Sequence, residues 1–360
     1  MNEQEAMRRA LALAKQGWGR VAPNPMVGAV LLRDGELIGE GYHREFGGDH
    51  AEVRALAACE DASGATCVVT LEPCSHHGKT PPCTDVLLAS GVCRVSYAVS
   101  DPCTKASGGG KLLRAAGVEV ERGLEAGAAA ALNAPFLWRH MRKGRPFVAL
   151  KMAASLDGFS TDSAGNSQWI SSPEAREHVH WLRAGFDAVG VGRGTAEADD
   201  PQLTARGEVM PRVVPKRVVF GLSGTLRSDL ELVRTSGDVP TVFFTGQGVA
   251  QQAAQLLAGT KVDVIAADDI STALEALRAQ GVQSLFVEPG ARLAGVMLDA
   301  GVVDRIYWIQ APILLGRGAP AFGEITATSL ADAPRWVLTE RKSLGDSNLL
   351  VVDRELCLPE

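Results

Sequence analysis

His50-Ala51-Glu52 opens a helix-like stretch (His50 to Cys59). Glu72-Pro73-Cys74 follows the strand-like run Thr66-Cys67-Val68-Val69-Thr70-Leu71, and Cys83 lies beyond it. If these residues share a metal, a helix start and a strand end must converge, which calls for alternating helices and strands around a sheet. A histidine and two thiolates give Zn²⁺ three ligands and leave a fourth tetrahedral position for water. The metal's charge lowers the pKa of that water toward neutrality. Glu52, on the same first turn as His50, reaches the water and moves protons without being a ligand. Two other readings compete. Core cysteines beside a surface histidine would leave the joint placement of Glu52 and Pro73-Cys74 unexplained. A structural four-ligand site completed by His76 or His77 would leave Glu52 without a task.

Cysteine usage points the same way. Six of seven cysteines precede residue 104, and Cys357 stands alone beyond it. No basic-then-apolar leader is visible in Met1-Asn2-Glu3-Gln4-Glu5, so the expectation is a cytoplasmic protein with free thiols rather than a disulfide scaffold. Cys67 and Cys93 sit in strand-like runs and are expected to fill the core. Apolar runs such as Val27–Leu32 fall far short of the ~20 residues a membrane span needs. The formal charge is −6, and residues 1–145 hold 17 basic and 16 acidic groups against 19 and 26 in residues 146–360. Neither half has the clustered positive charge of a nucleic-acid or membrane-surface partner. A small-molecule ligand is expected instead, and a homo-oligomer is left open.

The first half reads as helix Glu5–Gln16, strands Val27–Leu32 and Glu36–Gly39 about Asp34-Gly35, helix His50–Cys59, strands Thr66–Leu71 and Cys93–Val99, and helix Glu125–Met141. A mixed sheet with helices on both faces is its simplest packing. The polar break Arg142-Lys143-Gly144-Arg145-Pro146 divides the chain, giving domains 1–145 and 146–360. Alternation then restarts with strand Phe147–Ala153, a helix opened by Ser172-Pro173-Glu174, and strands Asp187–Gly192, Arg217–Phe220, Pro240–Phe244, Val262–Ile265 and Ser284–Val287. Helical patterns cover Val249–Leu257, Ser271–Ala279 and Ala291–Leu298. Both halves are α/β.

His-x-Glu with Pro-Cys is the pattern of zinc nucleobase deaminases, in which attack at an amino-bearing ring carbon expels ammonia. Here eight residues separate the cysteines. The stretch Pro73-Cys74-Ser75-His76-His77-Gly78-Lys79-Thr80-Pro81-Pro82-Cys83 resembles the bifunctional riboflavin-biosynthesis deaminase/reductase family. Pro23-Asn24-Pro25-Met26-Val27-Gly28 and Gly39-Glu40-Gly41-Tyr42-His43 are similar to that family's pyrimidine pocket. The resemblance implies a cytidine-deaminase-like α/β/α domain in which Asn24, His76 and Lys79 face the substrate. From its setting alone, Asn24 between two prolines would be a turn residue. Cys103, in Asp101-Pro102-Cys103, stands where the family usually has an asparagine thought to help hold the ribose phosphate. Rival readings are a deaminase of free cytosine or tRNA adenosine with an unrelated second domain, and a zinc-stabilised nucleotide-binding protein.

The resemblance continues through Lys151-Met152-Ala153-Ala154-Ser155-Leu156-Asp157-Gly158, Ser167-Gln168-Trp169-Ile170, Ala198–Arg206 and Val287-Glu288-Pro289-Gly290. It implies a dihydrofolate-reductase-like α/β domain using NADPH. Ala153, Trp169, Thr195, Asp199 and the turn Gly290, Ala291, Arg292, Leu293, Ala294, Gly295 and Val296 would contact the cofactor. Ser167, Arg183, Leu203, Arg206 and Glu288 would contact the substrate. Lys151 and Glu288 are candidates for polarising or protonating the sugar. Gly190-Val191-Gly192-Arg193-Gly194-Thr195 lacks the spacing and the later acidic residue of a Rossmann fingerprint. Gly290 opening a helix is the better pyrophosphate cradle, because backbone N–H groups there face an anion. The strand end Val218–Ser223 departs from the family's aliphatic-Asp-Ser/Thr pattern, with Ser223 one residue late. The implied activity is zinc-dependent deamination of a diaminopyrimidine ribonucleotide, then NADPH-dependent reduction of its ribosyl group to ribityl.

Overall fold

The computed structural model describes residues 1–360 except 77–80, 143, 327, 328, 356, 357, 359 and 360. It separates into two compact units, Met1–Arg142 and Lys143–Glu355. Among the described residues no helix is long and apolar enough to cross a membrane.

The first unit contains α1 (Glu3–Ala14), β1 (Gly28–Arg33), β2 (Glu36–Tyr42), α2 (Ala51–Ala57), β3 (Thr66–Leu71) and α3 (Cys83–Ala89). It continues with β4 (Arg94–Val99), α4 (Gly109–Ala115), β5 (Glu119–Arg122), α5 (Ala126–Leu132) and α6 (Ala134–Met141). The strand order is β2-β1-β3-β4-β5. β1 runs antiparallel to β2 and β3, while β3, β4 and β5 are parallel. Alternation along β1 feeds two cores. Ala29 and Leu31 pack with Ala51, Ala55 and Leu87, whereas Val30 and Leu32 pack with Met7, Ala10, Ala129 and Leu137. This is the two-faced burial that period-2 patterning produces. α1 starts with a capping box between Asn2 and Glu5, which satisfies two of its free N–H groups. It lies so close to β1 that a Cβ on Gly28 would stand 2.0 Å from the Ala10 carbonyl oxygen.

Two expectations change here. The single helix Glu125–Met141 is two helices broken at Asn133. Its buried amide accepts from the Met26 N–H and donates to the Met26 carbonyl, both at 2.8 Å, and Pro135 starts the second helix. Cys93 is exposed, because β4 begins one residue later at Arg94. Cys67 is buried as expected.

The second unit contains β6 (Phe147–Ala154), α7 (Pro173–Arg183), β7 (Ala188–Gly192), α8 (Arg193–Asp199), β8 (Lys216–Phe220), α9 (Glu231–Arg234) and β9 (Thr241–Thr245). Then come α10 (Gln247–Leu256), β10 (Val262–Ala266), α11 (Ile270–Ala279), β11 (Ser284–Val287), α12 (Ala291–Asp299), β12 (Arg305–Gln310), β13 (Val337–Leu344) and β14 (Ser347–Asp353). The strand order is β10-β9-β8-β7-β11-β6-β12-β14-β13. β10 through β12 are parallel, and β14 and β13 pair antiparallel at one edge. β6, β11 and β7 are almost wholly apolar, as strands covered on both faces must be. Their C-terminal ends lie side by side, where open parallel sheets place ligands.

Candidate functional site

In the first unit, His50 is the N-cap of α2, Cys74 follows β3, and Cys83 is the first residue of α3. The ligand atoms of all three lie within 4.8 Å of one another. His50 Nδ1 is 3.1 Å from Cys83 Sγ and 3.5 Å from Cys74 Sγ. Ligand atoms around a tetrahedral zinc with bonds of about 2.0–2.3 Å stand roughly 3.3–3.8 Å apart, so this donor set fits the ion. The Cys83 thiol, donating to Cys74, holds the Cys74 thiol down to about 4 against its burial. The same contact, and burial, push Cys83 up. Cys74 raises His50. Glu52 is 3 % exposed, and burial pushes its carboxyl above the usual range. Burial thus favours the protonated form of this carboxyl more than an exposed site would.

These groups line a cavity of about 310 Å³ together with Asn24, His43, His76, Arg139 and others. Asn24 and His76 are therefore where they were expected, while Lys79 lies outside the described residues. Sequence reasoning gave no task to Glu72, Asp101 or His43, which also line the cavity. Buried Glu72 accepts from the Asp101, Gly108 and Gly110 N–H groups at 3.0–3.2 Å, tying the end of β3 to the start of α4. Asp101 accepts from the Cys103 N–H, and burial raises its carboxyl to about 6. The signal for Glu72 was its place directly before Pro73-Cys74; nothing local marks its backbone partners. His43 is buried, with Nδ1 3.0 Å from the Asp49 carbonyl and Nε2 3.1 Å from Asn24 Nδ2. Its ring stands edge-on to His50.

The second unit gathers its own set. Lys151 and Ala153 lie on β6, Glu288 just past β11, and Arg183 at the end of α7. Arg183 Nε donates to Glu288 at 2.7 Å and Nη1 donates to the Thr204 carbonyl at 3.1 Å. Burial works to raise Glu288, but the charges of Arg183 and Lys151 hold it below the usual range. Burial lowers Lys151, with Glu288 opposing. Gly290 is the N-cap of α12, with no side chain capping the first turn. A Cβ there would stand 3.1 Å from Thr195 Oγ1, so Thr195 on α8 lies against the start of α12, the kind of helix start whose free N–H groups face an anion. Within Gly290–Val296, Ala294 and Gly295 are buried and only the earlier residues and Val296 are accessible.

The remaining residues are looser. Leu203 is buried with φ of 52°. Arg206 is exposed and donates to Thr204 Oγ1 at 3.2 Å. Ser167 is half-buried, and Asp199 is exposed at the end of α8. Trp169 is 68 % exposed, with the Arg176 guanidinium 4.5 Å from its ring centroid. The structure places neither Ser223 nor Arg206 against another of the proposed contacts.

Two family models match the chain. The cytidine and deoxycytidylate deaminase zinc-binding region covers residues 1–99, and the RibD C-terminal domain covers residues 146–350. The riboflavin biosynthesis protein RibD of Escherichia coli (strain K12) is 39 % identical over 360 residues, spanning 96 % of this chain and 97 % of that one. Among solved structures, Acinetobacter baumannii RibD superposes with a TM-score of 0.78 at 36 % identity, over 98 % of both chains. A diaminohydroxyphosphoribosylaminopyrimidine deaminase/5-amino-6-(5-phosphoribosylamino)uracil reductase from Thermotoga maritima gives 0.80 at 33 % identity, again over 98 % of both.

Proposed function

The chain belongs to the RibD family of bifunctional deaminase/reductases of riboflavin biosynthesis, and from that premise we propose which of its residues carry each reaction. A zinc-binding, cytidine-deaminase-like domain precedes an NADPH-dependent reductase domain of dihydrofolate-reductase-like fold. We place their boundary in Arg142–Pro146. The substrate of the first reaction is read as 2,5-diamino-6-ribosylamino-4(3H)-pyrimidinone 5′-phosphate, in keeping with the relative from Thermotoga maritima. The convergence of His50, Cys74 and Cys83 beside buried Glu52 carries the deaminase assignment.

His50, Cys74 and Cys83 hold the zinc, which when bound supplies the positive charge that makes a water acidic near neutral pH. The Glu52 carboxylate takes one proton from the attacking water and gives it to the ring nitrogen as the C–O bond forms, then carries the hydroxyl's remaining proton to the amine as the C–N bond breaks, so that ammonia leaves. Asn24 binds the ring edge and His76 faces the substrate. Arg139 and His140, which also line the cavity, are groups suited to its phosphate.

In the reductase, the first-turn N–H groups of α12 and Thr195 bind the pyrophosphate of NADPH, which supplies the hydride. Lys151, its charge set against that of ionised Glu288, holds the proton that the opening sugar needs at its ring oxygen, and Glu288 orients it. Arg183 is occupied with Glu288, so its main task is to keep that carboxylate ionised and oriented. Exposed Arg206 is the better guanidinium for the substrate phosphate, which it can grip with two parallel hydrogen bonds. Free thiols at all six described cysteines support a cytoplasmic setting, and the acidic net charge of −6 supports a small-molecule rather than nucleic-acid partner.

The test incubates the protein with the diaminopyrimidine phosphate, with and without NADPH. Ammonia should appear in both, and nicotinamide absorbance should fall only after deamination. NADPH oxidation without ammonia release would overturn the assignment of the first unit.

A further inference from the structure

We propose that His43 is a positioning residue that locks the orientation of the Asn24 amide, so that the cavity reads a ring N–H rather than a ring lone pair. This lock rests on the proposal that the cavity receives a pyrimidinone. The Asp49 carbonyl can only accept. At 3.0 Å from that oxygen, His43 Nδ1 must carry the hydrogen. In a neutral imidazole Nε2 then has only a lone pair to offer. Nε2 is 3.1 Å from Asn24, so the side of Asn24 facing it must be the donor, Nδ2. The amide oxygen is thereby turned away from His43, and Oδ1 has no hydrogen bond among the described residues. Both Asn24 and His43 line the cavity.

The remaining degrees of freedom are also held. The His43 N–H donates to the Val27 carbonyl at 2.9 Å, and the Asn24 N–H donates to the Val21 carbonyl at 2.8 Å. His43 is 3 % exposed, so bulk water has little access to its ring. An asparagine free to rotate by 180° would present acceptor and donor interchangeably. Coupled to His43, it presents Oδ1 as a fixed acceptor, which a pyrimidinone ring N–H satisfies and a bare ring nitrogen repels. The chain Asp49 carbonyl, His43, Asn24 thus transmits a backbone polarity to the ring edge.

The experiment is a double-mutant cycle on ammonia release, with zinc content measured for each variant. His43→Phe keeps a ring of similar shape and removes both hydrogen bonds. It should raise KM about 2- to 12-fold, the loss of one hydrogen bond, with kcat and zinc nearly unchanged. Asn24→Ala in the His43→Phe background should cost little beyond Asn24→Ala alone, because coupled residues are not additive. His43→Gln, whose Oε1 can stand near the Nε2 position and accept, should recover most of the KM, whereas His43→Asn should not. Independent, multiplicative losses from His43→Phe and Asn24→Ala would overturn the lock while leaving the pyrimidinone reading intact. A Gln variant as poor as the Phe variant would do the same. No effect of Asn24→Ala alone would overturn the reading on which the lock depends.

Discussion

Cys74 and Cys83 share a hydrogen bond that favours a thiolate on one and a thiol on the other, and a bound metal needs both deprotonated. Metal analysis should find about one Zn²⁺ per chain. Cys74→Ala and Cys83→Ala should each lose the metal and ammonia release together. The two arginines of the reductase part in a different way. Arg183 pairs with Glu288 at 2.7 Å, with side chains 11 % and 17 % exposed, so Arg183→Ala takes from a largely buried carboxylate its hydrogen-bonded cation and leaves only the charge of Lys151. It should destabilise by about 3–5 kcal/mol, read as a lower denaturation midpoint. Arg206→Ala should leave stability unchanged and lower reductase kcat/KM by roughly 10- to 150-fold, and Arg206→Lys should recover only part of this. If Arg206→Ala abolishes NADPH binding with substrate KM intact, the ligand assigned to it is wrong. The convergence of His50, Cys74 and Cys83 beside Glu52 was legible because the chemistry proposed for them depends on residue type at short spacing. His43, Glu72 and Asn133 were not, since their partners are backbone groups at Asp49, at Gly108 and Gly110, and at Met26. Only the folded chain brings those groups near.

At the scale of elements, length did not decide what was readable. The short α2 and β11 were read, from apolar spacing and from an apolar run, whereas α3, α4 and β5, of similar length, and the longer β12, β13 and β14 were not assigned. The hairpin of β13 and β14 did carry a signal, because Gly345-Asp346 joins them and Gly345 has φ of 58°. The site depends on close approach of α4 to the strand end. A Cβ on Gly109 would stand 1.8 Å from the Pro73 carbonyl oxygen, next to Cys74. Gly109→Ala should therefore cost about 1–3 kcal/mol in stability and loosen zinc, seen as faster loss of metal to a chelator. In the second unit the Ser155 hydroxyl and the Gly316 and Leu315 N–H groups hold Asp157 down to about 2. This tethers the loop after β6 to the one after β12. Because the folded value is depressed, the tether's contribution is present above the unfolded value of 3.8 and is lost as pH falls through about 2. The Leu315 and Gly316 amide resonances should titrate with a midpoint near that value. A midpoint near the ordinary aspartate value of about 4 would remove the tether from the account.

For the whole molecule, each unit holds one constellation and its own core. The groups proposed for deamination lie between Asn24 and His140, and those proposed for reduction begin at Lys151. Two chemistries on one chain should then be separable by a single atom change. Glu52→Gln keeps the shape of the side chain but cannot carry a proton. Zinc should stay bound, ammonia release should fall by ~10²–10⁴, and NADPH oxidation on previously deaminated substrate should be unchanged. Near-normal ammonia release by this variant would contradict the assignment of Glu52 as the proton carrier.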